Sequence, residues 1–420
     1  MNILVLGSGG REHALCWKIK QSPKCKSLYC IPGNGGISSI AKCFVIDPRK
    51  KSDIYKFCIK YLIDFVVIGP ETYLEQGLSD YLIKKNIAVF GPSKQASKLE
   101  TSKVFSKQFM KKFNIPTAKY SKFTNFEKAK QYIYSNKGPF VIKVSGLAAG
   151  KGVLISTKPD EAIKNCYEIL IQKKFGNAGN QILIEEYLEG FEISYFIYID
   201  KKNYLPIDYA LDHKKLFDEE KGPNTGGMGA FTPSNKINSK IENQILKEII
   251  DPTFQGLKKS NITYRGVLFL GLIITNNGPK VIEYNVRFGD PECQVIMRRY
   301  KSDIIKDLKN VSNDKLNLSK LKKISEPCLC VVLTSKGYPL KFRKNILIKN
   351  LNKIQNEDGI EIFHSGTKKN MDKIFSSGGR VLTITATGKS IKIARKRVYS
   401  VLKKLNWRNG FFRKDIGKQF

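Results

Sequence analysis

The run Val281-Ile-Glu-Tyr-Asn-Val-Arg-Phe-Gly-Asp-Pro-Glu292 holds the residues whose types and spacing point most directly to chemistry. Val281 and Ile282 open it as a β-strand. Glu283 and Asn285 stand two residues apart, so on a strand both side chains leave the same face. A carboxylate beside an amide oxygen is a hard-oxygen pair. It suits Mg²⁺ when the phosphates of a nucleotide complete the ion's shell. Arg287 continues the alternation and adds a guanidinium whose fork matches phosphate oxygens. A polar edge strand is the plainer reading of an isolated Glu-x-Asn. The Phe-Gly-Asp-Pro-Glu continuation and the motifs upstream weigh against it.

Gly7-Ser-Gly-Gly-Arg-Glu12 follows a short apolar strand and opens a helix. A glycine turn at a helix N-terminus offers backbone N–H groups to an anion such as a phosphate. It is not a dinucleotide fingerprint, because Glu12 stands at the third glycine position and no acid ends the next strand to hold a ribose. Glu71, in Gly69-Pro-Glu71, ends the buried strand 65–68, where open α/β sheets place ligands. Its plainer reading is a solvated loop acid. Gly146-Leu-Ala-Ala-Gly150-Lys151-Gly152 is not a P-loop: three residues separate the first two glycines, and Gly follows the lysine. It joins two strands and reads as a mobile lid loop, with glycines supplying positive φ and close approach to phosphates. Lys143 and Lys103 lie nearby, although either alone is more often a solvated side chain. Glu185 and Glu186, in Ile184-Glu-Glu-Tyr-Leu188, read from sequence as a strand-end acid pair. Asp212-His-Lys214 and Gly222-Pro-Asn-Thr-Gly-Gly-Met-Gly229 are loops, with Asp212 suited to contact an amine or to hold Lys214. His213, one of 3 histidines, is read as structural.

In this order and spacing the segments resemble the ATP-grasp ligases, and most closely the phosphoribosylamine–glycine ligases, also called glycinamide ribonucleotide synthetases. The resemblance runs from Met1 to the C-terminus. It includes Pro32-Gly-Asn34, Gly337-Tyr-Pro339, His364-Ser-Gly-Thr367 and Gly378-Gly-Arg380. It implies a multidomain α/β and α+β chain with an ATP-grasp fold, a Rossmann-like parallel N-terminal domain and a small C-terminal α/β domain. It implies ATP and Mg²⁺ or Mn²⁺ as cofactors, and glycine and 5-phosphoribosylamine as substrates. ATP would be held by Lys103, Lys143, Gly146, Gly150, Lys151, Gly152, Glu185, Glu186, Leu188 and Glu192. The metal would rest on Glu283 and Asn285. Gly9, Gly10, Arg11, Glu12, Asn34 and Glu71 would take phosphoribosylamine, and Arg287, Lys143 and Asp212 would serve catalysis. The chain departs from the family pattern at Ser8, Ser145 (usually Asp), Lys215 and Ser335-Lys336.

Composition narrows the alternatives. No apolar run is long enough to span a membrane. Met1 leads straight into a strand, so no targeting segment is expected and the cytoplasm is the expected location. The 9 cysteines lack metal-site spacing and read as reduced, mostly buried thiols. A net charge of +36 raises the question of nucleic acid. The lysine doublets are scattered and carry no recognition motif, so no dedicated nucleic-acid partner is expected. The charge favours anionic substrates instead. A monomer or weak dimer is expected.

The elements that must position these residues follow from the pattern. Strands alternate with helices over the first hundred residues, giving a substrate-binding domain at 1–102. One helical stretch is predicted from Ser93 through Lys103 to Phe113. The ATP-grasp region is expected at 103–325, with a lid at about 119–189. A compact C-terminal domain is expected at 326–420, ending in a basic helix from Ser390 to Leu405.

Overall fold

A computed structural model of the chain describes residues 1–148, 152–319, 321–354 and 357–418. β1 (Asn2–Gly7) leads through a glycine turn into α1 (Gly10–Lys20). β2 (Ser27–Pro32), β3 (Lys42–Cys43), β4 (Phe65–Ile68) and β5 (Ala88–Phe90) complete a parallel sheet of order β3-β2-β1-β4-β5. α2 (Lys51–Lys60), α3 (Glu71–Glu75) and α4 (Leu78–Lys84) lie along the crossovers. Parallel strands are covered on both faces, which is why all four residues of β4 are apolar and buried. The chain adds β2 on one side of β1 and β4 on the other. The carboxyl ends of β1 and β4 therefore flank a crevice, with the Gly7–Gly10 turn on one lip and Glu71 on the other.

The predicted single helix after Ser93 is two: α5 (Lys94–Thr101) and α6 (Lys103–Lys112). Ser102 breaks them with an extended backbone, and its hydroxyl accepts from the Phe105 N–H at the start of α6. A serine stops a helix here because its side chain caps the next one. The lid follows. It contains β6 (Tyr120–Phe123), α7 (Phe126–Tyr134), β7 (Phe140–Val144), β8 (Val153–Ser156), α8 (Pro159–Leu170) and β9 (Ile182–Glu186). Its antiparallel order is β6-β9-β7-β8. Ile133, Ile142, Cys166, Ile169 and Ile184 belong to a hydrophobic cluster confined to this unit. This core is separate from the two larger clusters of the chain.

The rest of the chain builds one nine-stranded sheet and two two-stranded hairpins. β10 (Phe191–Ile199) and β11 (Tyr204–Asp212) lead to a hairpin of β12 (Lys215–Phe217) and β13 (Lys221–Asn224), then to β14 (Gly229–Thr232). α9 (Ser239–Gln244) and α10 (Asp251–Lys259) precede β15 (Gly266–Thr275) and β16 (Gly278–Asn285). α11 (Glu292–Arg299) and α12 (Ile304–Ser312) follow. The C-terminal part contains β17 (Cys328–Ser335), β18 (Ile360–His364), the hairpin β19 (Thr367–Asn370) and β20 (Lys373–Ser376), β21 (Arg380–Thr387), α13 (Ile391–Leu405) and β22 (Gly410–Phe411). β17 pairs with β14, so the C-terminal strands continue the central sheet. All eight residues of β17 are buried, which places it in the sheet's interior. All nine cysteines are free thiols. No helix among the described residues is long and apolar enough to cross a membrane.

Candidate active site

Register fixes the floor of a cleft. Glu283 lies opposite Gly271, Gly271 opposite Ser194, and Ser194 opposite Ala210. Residues opposite one another share a face, so Glu283, Asn285, Ser194, Glu192 and Asp212 all emerge on the side that meets α11. The predicted pairing of Glu283 and Asn285 is present: Asn285 Nδ2 lies 3.4 Å from Glu283 Oε1. Lys103, at the start of α6, donates to Glu283 Oε2 at 3.1 Å. Burial alone pushes the Glu283 carboxyl up, but Lys103, Lys214 and Lys143 outweigh it and hold the group well below the usual carboxylate range. Glu283 is therefore the anion a cation site needs. Asn285 turns its amide nitrogen to Glu283 and its Oδ1 to Arg287 Nη2 at 3.2 Å, so an ion drawing its other ligands from phosphates would need the amide reversed to present both oxygens. Among the described residues, no three His, Cys, Asp or Glu gather to hold an ion on protein ligands alone.

Arg287 extends the alternation past the end of β16, yet its fork is not free as the sequence suggests. Nε donates to Glu71 Oε2 at 3.2 Å, and Nη2 lies 2.8 Å from Glu100 Oε1 and 3.2 Å from Asn285 Oδ1. Glu71 thus reaches from the N-terminal crevice to Arg287, just past the end of β16. Burial pushes Glu71 up, while Arg287 and Arg11 draw it below the usual value. Glu100, at the end of α5, also accepts from the Val286 N–H at 2.7 Å. Burial pushes its carboxyl up to about 7 against the pull of Arg287. Sequence reasoning missed Glu100. The available signal is that it is the sole acid between Lys94 and Phe113.

The root of the lid faces this floor. Lys143 on β7 donates to Glu185 Oε2 on β9 at 2.9 Å and to Ile282 O at 3.3 Å. Lys107, which the sequence analysis also missed, lies 3.0 Å from the same carboxylate oxygen. It sits one helical turn beyond Lys103, a spacing that puts both on one side of α6. Burial pushes Glu185 up, but these two lysines hold it below its usual value. The Glu185 side chain is thus buried in an ion cluster, and Glu186 turns outward to accept from the Lys119 N–H at 2.9 Å. Leu188 lies in the segment joining β9 to β10. Glu192 on β10 accepts from Lys214 at 2.7 Å, and Lys214 lies 4.0 Å from Asp212. Burial pushes Asp212 up to about 7 against Lys214, with Glu292 and Glu192 adding to the rise. His213 alternates to the opposite face, where Glu220 engages Nδ1 at 2.8 Å.

One reading of the lid glycines is corrected: Gly146 is not in the left-handed region. Closeness requires Gly146 and Gly152: a Cβ on Gly146 would lie 2.8 Å from the Ala178 backbone, and one on Gly152 2.4 Å from Val144. The Ser145 carbonyl accepts from the Lys103 N–H at 2.9 Å and its hydroxyl from the Val104 N–H at 3.3 Å, so Ser145 caps α6. Gly150 and Lys151 lie outside the described residues.

The N-terminal crevice also departs from expectation. The sequence places a phosphate on the first N–H groups of α1, but protein acids meet them. Glu12 Oε2 accepts from Gly9 N–H at 2.6 Å, and Asp290 Oδ2 lies 3.4 Å from Arg11 N. Arg11 is buried between Glu12 and the carbonyl of Phe288. A Cβ on Gly10 would lie 2.4 Å from Gln294 Nε2 and 2.7 Å from Ser365 Oγ. Asn34 spends both amide protons on Ser8 O and His364 O and accepts from Gly36 and Ile37 N–H, so its side chain ties loops together. The C-terminal turns close this side. Arg380 bonds the carbonyls of Gly226 and Asp290, and Tyr338 Oη accepts from Gly226 N–H at 2.9 Å. Ser335, a departure from the family pattern, donates to Gly378 O at 2.9 Å and so holds the Gly378–Arg380 turn.

Comparison with known proteins bears on this geometry. Three family profiles tile the chain: phosphoribosylglycinamide synthetase N domain over residues 1–100, its ATP-grasp (A) domain over 101–293, and its C domain over 328–419. A relative from Brucella melitensis, named phosphoribosylamine–glycine ligase, is 43% identical over 420 residues, covering 99% of this chain and 97% of its own. A chloroplastic protein of that name from Arabidopsis thaliana is 44% identical, covering 97% of this chain and 78% of its own. The crystal structure of phosphoribosylamine–glycine ligase from Thermotoga maritima superposes with a TM-score of 0.87 at 31% identity, covering 99% of this chain and 100% of that one. The biotin carboxylase domain of Hydrogenobacter thermophilus 2-oxoglutarate carboxylase shares the fold, with a TM-score of 0.72 at 18% identity over 96% of this chain and 89% of that one. The chain belongs to the phosphoribosylglycinamide synthetase family.

Proposed function

We propose that this chain joins glycine to 5-phosphoribosylamine at the expense of ATP, giving glycinamide ribonucleotide, ADP and phosphate for purine synthesis. The carrying observation is that Arg287 bonds both Asn285 of the metal segment and Glu71 of the N-terminal crevice. One guanidinium joins the nucleotide side of the cleft to the sugar side. Membership of the family along the whole chain supports the same reading.

ATP lies between lid and floor. Glu185, Glu186 and Leu188 border the adenine, Glu192 faces the ribose, and Lys103 and Lys143 face the phosphates. In this reading Gly146, Gly150, Lys151 and Gly152 also take part in holding ATP. Glu283 and Asn285 would hold Mg²⁺ or Mn²⁺, which when bound offsets phosphate charge. A glycine carboxylate oxygen attacks the γ-phosphorus, the bond to the β-phosphate bridging oxygen breaks, and ADP leaves. Attack by one anion on another needs fixed cations, which Lys103 and Lys143 supply. The amine of phosphoribosylamine then attacks the glycyl carbonyl carbon. Phosphate departs with one glycine oxygen, and the amine nitrogen loses a proton. An acyl phosphate hydrolyses in water, so the lid must exclude it. Gly9, Gly10, Arg11, Glu12, Asn34 and Glu71 shape the phosphoribosylamine side, with Asn34 acting through the loops it ties. Asp212 faces the glycine amine.

Glycine labelled with ¹⁸O in its carboxylate tests the order of events. One label atom is expected in each inorganic phosphate released. Unlabelled phosphate under full turnover rules out the glycyl phosphate route.

A further inference from the structure

Lys107 is 2% exposed and belongs to a helix of the body, not to the lid. Its ammonium lies 2.8 Å from Thr117 Oγ1, 3.3 Å from Ala118 O and 3.0 Å from Glu185 Oε2. The first two are hydrogen bonds and the third is an ion pair. Thr117 and Ala118 lie on the segment entering the lid, and Glu185 lies on β9, the strand that leads out of it. Thr117 is tied to the body as well, donating to Val281 O at 2.6 Å. One cation therefore grips both chain crossings of the hinge.

Glu185 Oε2 is shared with Lys143, at 2.9 Å, while Oε1 is buried without a hydrogen-bond partner among the described residues. A buried carboxylate with a single ammonium holds it hard, because separating them leaves an uncompensated charge. A carboxylate with two ammoniums can release one. We propose that Lys107 is a positioning residue for nucleotide binding: it keeps Glu185 compensated and the hinge strands in place while Lys143 leaves Glu185 for the nucleotide. The proposal rests on the reading of Lys143 as a nucleotide-binding cation. It adds that the lysine's availability is set by a neighbour that itself touches no substrate.

The test measures affinity for a non-hydrolysable ATP analogue, and KM for ATP and for glycine, in the full chain. The variants are Lys107→Met, Glu185→Gln, the double Lys107→Met/Glu185→Gln, and Lys143→Met. Lys107→Met is expected to weaken analogue binding about tenfold or more and to raise KM for ATP in parallel, with KM for glycine within about twofold. The double variant has no buried carboxylate left to trap Lys143. It is expected to bind the analogue better than Lys107→Met and within about threefold of Glu185→Gln. A purely packing role makes the two losses add. A double variant about tenfold worse than Glu185→Gln therefore overturns the proposal, even should Lys107→Met fail to fold. Wild-type analogue affinity in Lys107→Met also overturns it. Unchanged affinity in Lys143→Met overturns the Lys143 assignment and the proposal with it. A large loss in Lys143→Met with none in Lys107→Met removes only the part given to Lys107.

Discussion

Glu283 is held as an anion by lysines from three elements, Lys103 on α6, Lys214 after β11 and Lys143 on β7. Replacing it with Gln keeps its shape but removes the charge that balances them. Glu283→Gln and Asn285→Ala are each expected to lower turnover by about two orders of magnitude or more, with the circular dichroism spectrum unchanged. Near-normal turnover of Glu283→Gln at limiting Mg²⁺ contradicts the metal assignment. Arg287 reaches Glu71, Glu100 and Asn285 at once because its donors are spread over a rigid fork. An ammonium is a point charge and cannot copy that geometry. Arg287→Lys is expected to cut kcat/KM for phosphoribosylamine at least about tenfold despite the retained charge. A kcat/KM equal to wild type reduces Arg287 to support for the strand. The sequence shows Glu283, Asn285 and Arg287 because strand alternation is local. It hides Glu100 and the pairing of Lys107 with Glu185, because the partners lie far apart along the chain, Glu100 and Val286 by 186 residues.

At the scale of elements, Ser145 joins the lid to the N-terminus of α6. An acid there meets the positive end of the helix dipole and the Val104 N–H, while the Lys103 N–H stays on the residue's own carbonyl. Ser145→Asp is expected to slow hydrogen exchange at Val104 in the absence of nucleotide and to change KM for ATP by no more than a few-fold, since one such bond contributes about 0.5–1.5 kcal/mol. Unaltered exchange at Val104 shows that residue 145 does not cap α6. A second junction joins α1 to β18. The His364 N–H donates to His13 Nδ1 at 2.8 Å, and both imidazoles are buried. Burial lowers both, His364 to about 4, with His364 adding to the depression of His13. A histidine whose folded value lies below its unfolded one stabilises fully above the unfolded value, about 6.5. That stability is lost as pH falls towards about 4. The urea midpoint is therefore expected to drop between about pH 6.5 and 4, and His13→Gln to flatten the drop. An equal slope in the variant contradicts the junction. The long apolar strands and the glycine turns were legible in the sequence. The break at Ser102 was not, because a lone serine in a helical run signals a cap only once the next helix is seen. The β12–β13 hairpin was hidden by its glycine and charge content.

At the scale of the whole molecule, the cleft is assembled from three stretches of chain that the sequence marks separately. The N-terminal sheet brings Glu71, the lid brings Lys143, and the central sheet brings Glu283 and Asn285. Their order was legible because each lies on its own motif. Their meeting at Arg287, and the extension of the central sheet through β14 and β17, depend on pairings between distant segments that no local pattern encodes. The most direct test of ligation in this cleft is ADP release by the purified chain with ATP and Mg²⁺. Glycine is supplied with and without phosphoribosylamine generated in situ, and bicarbonate replaces glycine in a parallel arm. Sustained ADP release is expected only with glycine and phosphoribosylamine together, with one glycinamide ribonucleotide formed for each ADP. Sustained release driven by bicarbonate, or release that ignores both glycine and the amine, contradicts the assignment.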